Sequence, residues 1–303
     1  MSLPAALQAW HAPLEARLAD RLPLSTLAGT MALNDAVRYA VFPGGRRWRP
    51  VLTLLGAMTA GVRPETVIDV ACGVEYVHSA SLILDDLPAM DDGRERRGRP
   101  TVHRAFGEGA ALLAALALLN RGYELFLDGG AGDTPGSPEY RLLREAMSAI
   151  GADGMIGGQA ADLAGHHAAH LGSRQRKTTA LVRLAAVAGA IAGGAADPDI
   201  EALGTYGACI GAAYQIHDDL LDADARASAA GKTAGQDARH GRPSWSGLTG
   251  VDAACTAAAL EIDRGRLAIS RRFGETPAAR LLIAAAGEIL DSITGPLVPG
   301  DGR

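Results

Sequence analysis

Aromatic residues are scarce in this chain. Phe, Tyr and Trp make up 4% of its 303 residues, which disfavours a sandwich or barrel built on aromatic and β-branched strands. No strand-like alternation is sustained, no NG or DG hairpin turn joins apolar runs, and no repeat of solenoid period is evident. Cysteine is rarer still. Cys72, Cys209 and Cys255 stand far apart with no CxxC pair, which excludes a disulfide framework and a cysteine zinc site. Positive charge is not in excess either. Against 34 acidic residues there are 29 basic ones, a net charge of −5, so no global basic surface serves a nucleic acid. The longest apolar runs, 110–119 and 184–196, fall short of the ~20 residues of a membrane span. Asp, Glu and Arg within the first 20 residues break the apolar stretch that a signal peptide needs. The expectation is a soluble, cytoplasmic protein, with the opening Met-Ser-Leu set aside as tag-like.

Alanine and leucine dominate instead, and both favour helix. Helices are predicted near 5–21, 30–41, 48–60, 64–87, 107–127, 137–165, 173–195, 199–224, 251–273 and 276–292. Gly/Pro punctuation separates them at 42–45, 87–100, 128–138 and 227–231. A segment such as 179–196 is apolar on nearly every side, which marks a buried helix. The fold class expected is all-α: one large helical bundle over 1–303, around a central apolar cavity, with an unordered tail near 293–303.

Two carboxylate clusters carry the chemistry. Asp85 and Asp86 close an apolar helix, Pro88 discourages its continuation, and Asp91 and Asp92 follow in the turn. Carboxylates at a helix C-terminus oppose the macrodipole, so cations are the remedy. Asp218, Asp219 and Asp222 close a second apolar helix, with Asp218 and Asp222 sharing a face. A solvated acidic loop would account for one such cluster but poorly for two. Facing each other, the pair could hold several metals. Ferritin-like bundles also use facing carboxylates, but through Glu and ExxH. An all-Asp set suits Mg²⁺, which prefers carboxylates, water and substrate phosphates. Local basic clusters complete the pattern: Arg46, Arg47 and Arg49 after two glycines, Arg96 and Arg97 past the first Asp cluster, and Lys177 after Arg174 and Arg176. Guanidinium forks suit oxyanions, although any one cluster alone could be a solvated loop. His78 lies two helical turns before Asp85 on the same face.

The ordered set GGRRWRP (44–50), DDLPAMD (85–91), RRGRPT (96–101), GGQAADL (157–163), KT (177–178), QIHDDLLD (215–222) and GKTAGQD (231–237) resembles the trans-isoprenyl diphosphate synthases. It is most similar to bacterial geranylgeranyl diphosphate synthases of carotenoid and bacteriochlorophyll pathways. The resemblance spans roughly 30–245 and implies the isoprenoid synthase type I fold. It also implies that Asp85 and Asp91 bind two Mg²⁺ ions and Asp218 a third, with Asp86, Asp219 and Asp222 supporting. Arg96, Lys177, Gln215 and Lys232 would meet the allylic diphosphate. Arg46, Arg49, His78 and Arg97 would hold that of isopentenyl diphosphate, and Thr178 and Gln215 would sit beside the allylic cation. Arg242 stands where the family has a late Lys. A homodimer is implied, with helix 107–127 as a candidate face.

The implied reaction is head-to-tail condensation of isopentenyl diphosphate with dimethylallyl, geranyl or farnesyl diphosphate. Ala80 and Ser81, before the first Asp pair, occupy positions where a bulky aromatic stops elongation at fifteen carbons in the family. Small side chains there point to geranylgeranyl diphosphate, with farnesyl or longer products as alternatives. Ala115 and Leu116 replace a Gly-Asp pair, Arg46 replaces a Lys and Leu84 a His, and none of these is a metal ligand. The Gly-Asp loss keeps a non-catalytic partner subunit as another alternative. Class I terpene cyclases carry a different second motif, and a purely structural bundle would leave both Asp clusters without purpose.

Overall fold

The structure is a computed structural model that describes residues 3–128, 134, 136–164, 171–223 and 249–294. Its elements, in order, are α1 (Leu3–Asp20), α2 (Met31–Val41), α3 (Trp48–Thr59), a 3₁₀ turn (Pro64–Val67), α4 (Ile68–Asp85), β1 (Glu95–Arg96), β2 (Arg99–Pro100), α5 (Val102–Phe106) and α6 (Glu108–Leu127). Then follow α7 (Pro138–Ile150), α8 (Met155–Leu163), α9 (Leu171–Ala192), α10 (Asp197–Ala223), α11 (Val251–Phe273) and α12 (Pro277–Thr294). The chain divides into two compact units: Met1–Arg144 with Ala188–Ala195, and Glu145–Val187 with Ala196–Arg303.

The all-α expectation holds, with local corrections. The segment 64–87 is a 3₁₀ turn followed by a helix that stops at Asp85. The single helix expected over 137–165 is two, because Gly151, Ala152, Asp153 and Gly154 form a turn between α7 and α8. A small hairpin also escapes the pattern search. β1 and β2 pair antiparallel across Arg97 and Gly98, both at positive φ (55° and 69°), the geometry of a type I′ turn. Arg-Gly is not among the usual dipeptides for that turn, and two-residue strands show no alternation.

In the first unit the core runs along α4. Val70, Ala71, Cys72, Val74, Tyr76, Val77, Ala80 and Ile83 are all buried, so the helix is covered nearly all round. α4 and α6 meet at two glycines. A Cβ on Gly73 would lie 2.8 Å from the Phe126 ring, and one on Gly122 would lie 2.7 Å from Val77 Cγ2, so neither position has room for a side chain. The phenol of Tyr76 donates to the Leu18 carbonyl at 2.6 Å, and Arg17 and Arg21 both pair with Asp69. These contacts tie α1 to α4.

In the second unit α10 lies against α11, whose buried residues Ala254, Ala258, Ile262, Gly265 and Ile269 form one helical stripe. Gly207 and Gly211 of α10 let it close on α9. A Cβ on either would lie 2.8 Å from a backbone Cα, that of Arg183 or Thr179 respectively. Tyr206 donates to the Leu282 carbonyl at 2.6 Å and ties in α12.

The expectation that no helix could span a membrane needs correction. By length and composition, 64–85 and 108–127 both qualify, since helices continue through isolated charges that interrupt an apolar run. The first window is 72% buried and the second 39%. The former is a core helix, while the latter leaves Leu112, Leu113, Leu116 and Leu127 exposed.

Candidate active site

The first Asp motif is built by the end of α4. Pro88 cannot donate the amide that another helical turn would need, and the chain folds back on the helix end. The Asp91 amide donates to the Asp85 carbonyl at 3.0 Å, and the Gly93 amide to that of Asp86 at 3.2 Å. Asp85 and Asp91 are thereby held on adjoining turns, both half-buried. Asp86 has a different fate. It is 4% exposed and accepts two hydrogen bonds from Arg96, at 2.7 and 2.8 Å. Asp86 therefore anchors the hairpin that carries Arg96 and Arg97, and Arg96 faces Asp86.

Beside this motif lies a cationic cradle. Arg49, in the first turn of α3, donates from a terminal guanidinium nitrogen to His78 Nε2 at 3.1 Å. Guanidinium only donates, so Nε2 accepts and the proton sits on Nδ1. Burial first, and then Arg49, Arg97, Arg96 and Arg47, hold the imidazole well below its ordinary range, so His78 is neutral at physiological pH. Arg97 is likewise held down, first by desolvation and then by Arg47, Arg96 and Arg49, while Glu75 pulls the other way. Guanidinium forks suit oxyanions, which makes this cradle a candidate anion site.

The two glycines of GGRRWRP each make room for one guanidinium. A Cβ on Gly45 would lie 3.1 Å from an Arg97 terminal nitrogen, and one on Gly44 would overlap the Arg47 guanidinium. The grouping of Arg47 with Arg46 and Arg49 as phosphate clamps is therefore corrected. Arg46 is exposed and Arg49 half-buried, whereas Arg47 is 2% exposed and held by Glu15 and Glu75. Glu75 was the missed signal: a lone carboxylate inside an otherwise apolar helix. Tyr39 and Arg99 were missed as well. Arg99 stacks 3.7 Å over the Tyr39 ring and donates to the Phe42 carbonyl, and Tyr39 donates to that of Pro100. Together they fasten the hairpin to the glycine loop.

Ala80 is buried, and the Ser81 hydroxyl donates to the His78 carbonyl at 2.8 Å. Successive helical residues are ~100° apart, so the two cannot line one surface equally. At Ala115 and Leu116, the first is buried and the second 59% exposed.

The second unit carries the second Asp motif. Gln215 accepts from Thr178 Oγ1 at 2.7 Å and donates to Asp219 at 2.9 Å, so Thr178, Gln215 and Asp219 form one chain across α9 and α10. Asp219 is buried and Asp218 half-buried. The GGQAADL motif of α8 lies against α9, where Gly158 meets the Lys177 backbone. Arg176 turns away and donates to the Asp153 carbonyl at 2.9 Å. Asp222 lies in α10, but its side chain is outside the described residues, as are Lys232 and Arg242.

Hard oxygen donors fit Mg²⁺. Among the described residues no group of three His, Cys, Asp or Glu could by itself hold a metal.

An all-α fold that carries Asp motifs and a guanidinium cradle is suited to binding a diphosphate. The polyprenyl synthetase family profile matches residues 30–274, and the chain belongs to that family, an enzyme of the transferase class. Geranylgeranyl pyrophosphate synthase 6 of Arabidopsis thaliana is 39% identical over 73% of this chain and 69% of its own length. The chloroplastic geranylgeranyl pyrophosphate synthase of Capsicum annuum is 36% identical over 84% of this chain and 70% of its own. Another Arabidopsis relative, geranylgeranyl pyrophosphate synthase 11, is spanned over only 64% of its length. Among solved structures, the apo FPP/GFPP synthase of Zymomonas mobilis superposes with a TM-score of 0.82 at 30% identity, covering 95% of this chain and 98% of that one. The geranylgeranyl pyrophosphate synthetase of the archaeon Geoglobus acetivorans gives 0.78 at 25% identity, covering 94% and 99%.

Proposed function

We propose that this protein condenses isopentenyl diphosphate head-to-tail with allylic diphosphates, giving geranylgeranyl diphosphate. The observation that carries this reading is the cradle of Arg49, His78 and Arg97 beside the Asp85–Asp91 turn. Arg46, Arg49, His78 and Arg97 bind the homoallylic diphosphate. Arg96, Lys177, Gln215 and Lys232 meet the allylic one. Asp85, Asp91 and Asp218, with Asp222 in support, would hold Mg²⁺, which would supply positive charge that a departing diphosphate meets more strongly than the bound ester does. The allylic C–O bond breaks, and the double bond of isopentenyl diphosphate supplies the electron pair for the new C–C bond. A proton then leaves for the released diphosphate. Thr178 and Gln215 present their oxygens beside the cation, and apolar walls exclude the water that would quench it.

The exposed apolar stripe of α6 (Leu112, Leu113, Leu116 and Leu127) packs against a second copy of the chain. Leu116→Glu should convert the dimer to monomer in light scattering. The enzyme is cytoplasmic and spans no membrane. The deciding experiment incubates the protein with Mg²⁺, labelled isopentenyl diphosphate and each of the three allylic starters, and sizes the hydrolysed alcohols. A twenty-carbon product is expected. A different length would discard the geranylgeranyl assignment, and no product with any starter would discard the activity.

A further inference from the structure

Arg47 sits between the two arginines of the glycine loop, yet none of its side chain reaches solvent. Its Nε and one terminal nitrogen donate to the Glu15 carboxylate at 2.5 and 3.2 Å. The other terminal nitrogen donates to Glu75 at 2.7 Å, and the first also reaches the Val41 carbonyl at 2.8 Å. These partners lie on α1, α4 and the end of α2. The backbone of Arg47 is left-handed (φ 51°) and immediately precedes α3, whose first turn carries Arg49. Glu75 lies one turn before His78 on α4.

We propose that Arg47, with Glu15 and Glu75, is a positioning device for the diphosphate cradle of the first unit: it binds no substrate, but fixes Arg49 and His78 relative to each other. The inference rests on the reading that this cradle takes the homoallylic diphosphate. An unusual backbone conformation persists only where its surroundings over-determine it, and four side-chain hydrogen bonds to three helices do so here. Arg49 and His78 stand on different helices, and Arg47 ties the start of one to the carboxylate one turn before the other. Charge adds a second reason. Arg49 and Arg97 repel one another, and two carboxylates against one buried guanidinium leave negative charge behind them. A lysine could keep the charge but not the fork that meets three partners.

The test compares wild type with Arg47→Lys, Glu15→Gln and the double variant Arg47→Met/Glu75→Leu. The double variant replaces a buried ion pair with apolar groups, a change a fold commonly tolerates, and circular dichroism checks that it folds. Two quantities are measured: the Kd for inorganic diphosphate in EDTA by calorimetry, and separate KM values for isopentenyl and allylic diphosphates. The double variant should raise the diphosphate Kd and the isopentenyl diphosphate KM about tenfold, with the allylic KM within about twofold. Arg47→Lys and Glu15→Gln should fall between it and wild type. A folded double variant with wild-type Kd and KM overturns the proposal, as does a wild type that binds no metal-free diphosphate. A wild type that binds diphosphate but forms no product would instead overturn the synthase reading, with the Kd comparison still deciding the role of Arg47.

Discussion

Gly158→Ala adds one methyl group where two helices touch. The new Cβ would lie 2.8 Å from Lys177 Cα and 2.9 Å from the Arg176 carbonyl carbon, with the Lys177 amide nitrogen closer still. Carbon atoms in contact sit about 3.5–4.0 Å apart, so α8 and α9 must separate by about 1 Å. These neighbours are backbone, which cannot swing aside as a flexible side chain would. Overpacking of this kind costs about 1–3 kcal/mol. For a chain of 303 residues about 2 kcal/mol corresponds to a Tm lower by about 3 °C. Lys177 would shift with its backbone, and if it meets the allylic diphosphate as proposed, a displacement of that size costs about 100-fold in turnover. Gly109→Ala is the control. Gly109 also lies in a helix, but nothing approaches its Cβ position within 4 Å, so alanine there should stabilise by about 0.5–1 kcal/mol. Thermal unfolding by circular dichroism and steady-state kinetics on both variants decide the matter. If Gly158→Ala keeps the wild-type Tm and turnover, the reasoning about helix approach is wrong.

Asp85→Ala and Asp218→Ala should each abolish Mg²⁺-dependent turnover while leaving the far-ultraviolet dichroism unchanged; wild-type turnover by either would refute its role. The thiols of Cys72 and Cys209 are buried and pushed up to about 12 by that burial, whereas Cys255 is half-buried. An aromatic disulfide reagent at about pH 8 should therefore label Cys255 alone in the folded protein, and mass spectrometry showing rapid labelling of Cys72 or Cys209 would contradict the packing. His78 binds its proton less readily folded than unfolded, so the stability that depends on its neutral form is complete above about pH 6.5 and is lost as the pH falls below it. The gap in Tm between wild type and His78→Gln should change below that pH; Tm curves running parallel from about pH 7.5 to 5 would refute the assignment.

Much of the candidate site was legible because its chemistry is written in residue type and order. Paired aspartates after an apolar run, broken by Pro88, announce carboxylates at a helix end wherever that helix lies. Thr178, Gln215 and Asp219 were each named from motifs, but the hydrogen-bond chain joining them depends on α9 and α10 meeting across Gly207 and Gly211. Arg47 shows the limit most clearly. In sequence it is one more arginine among three, and only the approach of Glu15 and Glu75, from 32 and 28 residues away, turns it from a clamp into a buried strut.

By itself the sequence determined the helical class, the break that follows the first Asp pair and the inventory of cations and carboxylates. These follow from local propensity, from proline's missing amide and from periodicity, all of which act over a few residues. Tertiary structure alone decided how each charge is used. Asp86 is bound to Arg96 and Asp219 to Gln215, Arg49 meets a histidine kept neutral by its surroundings, and Gly44, Gly45 and Gly158 earn their places only through what approaches them. Burial, and the fields of groups distant in the chain, set those outcomes, and neither exists until the helices have packed.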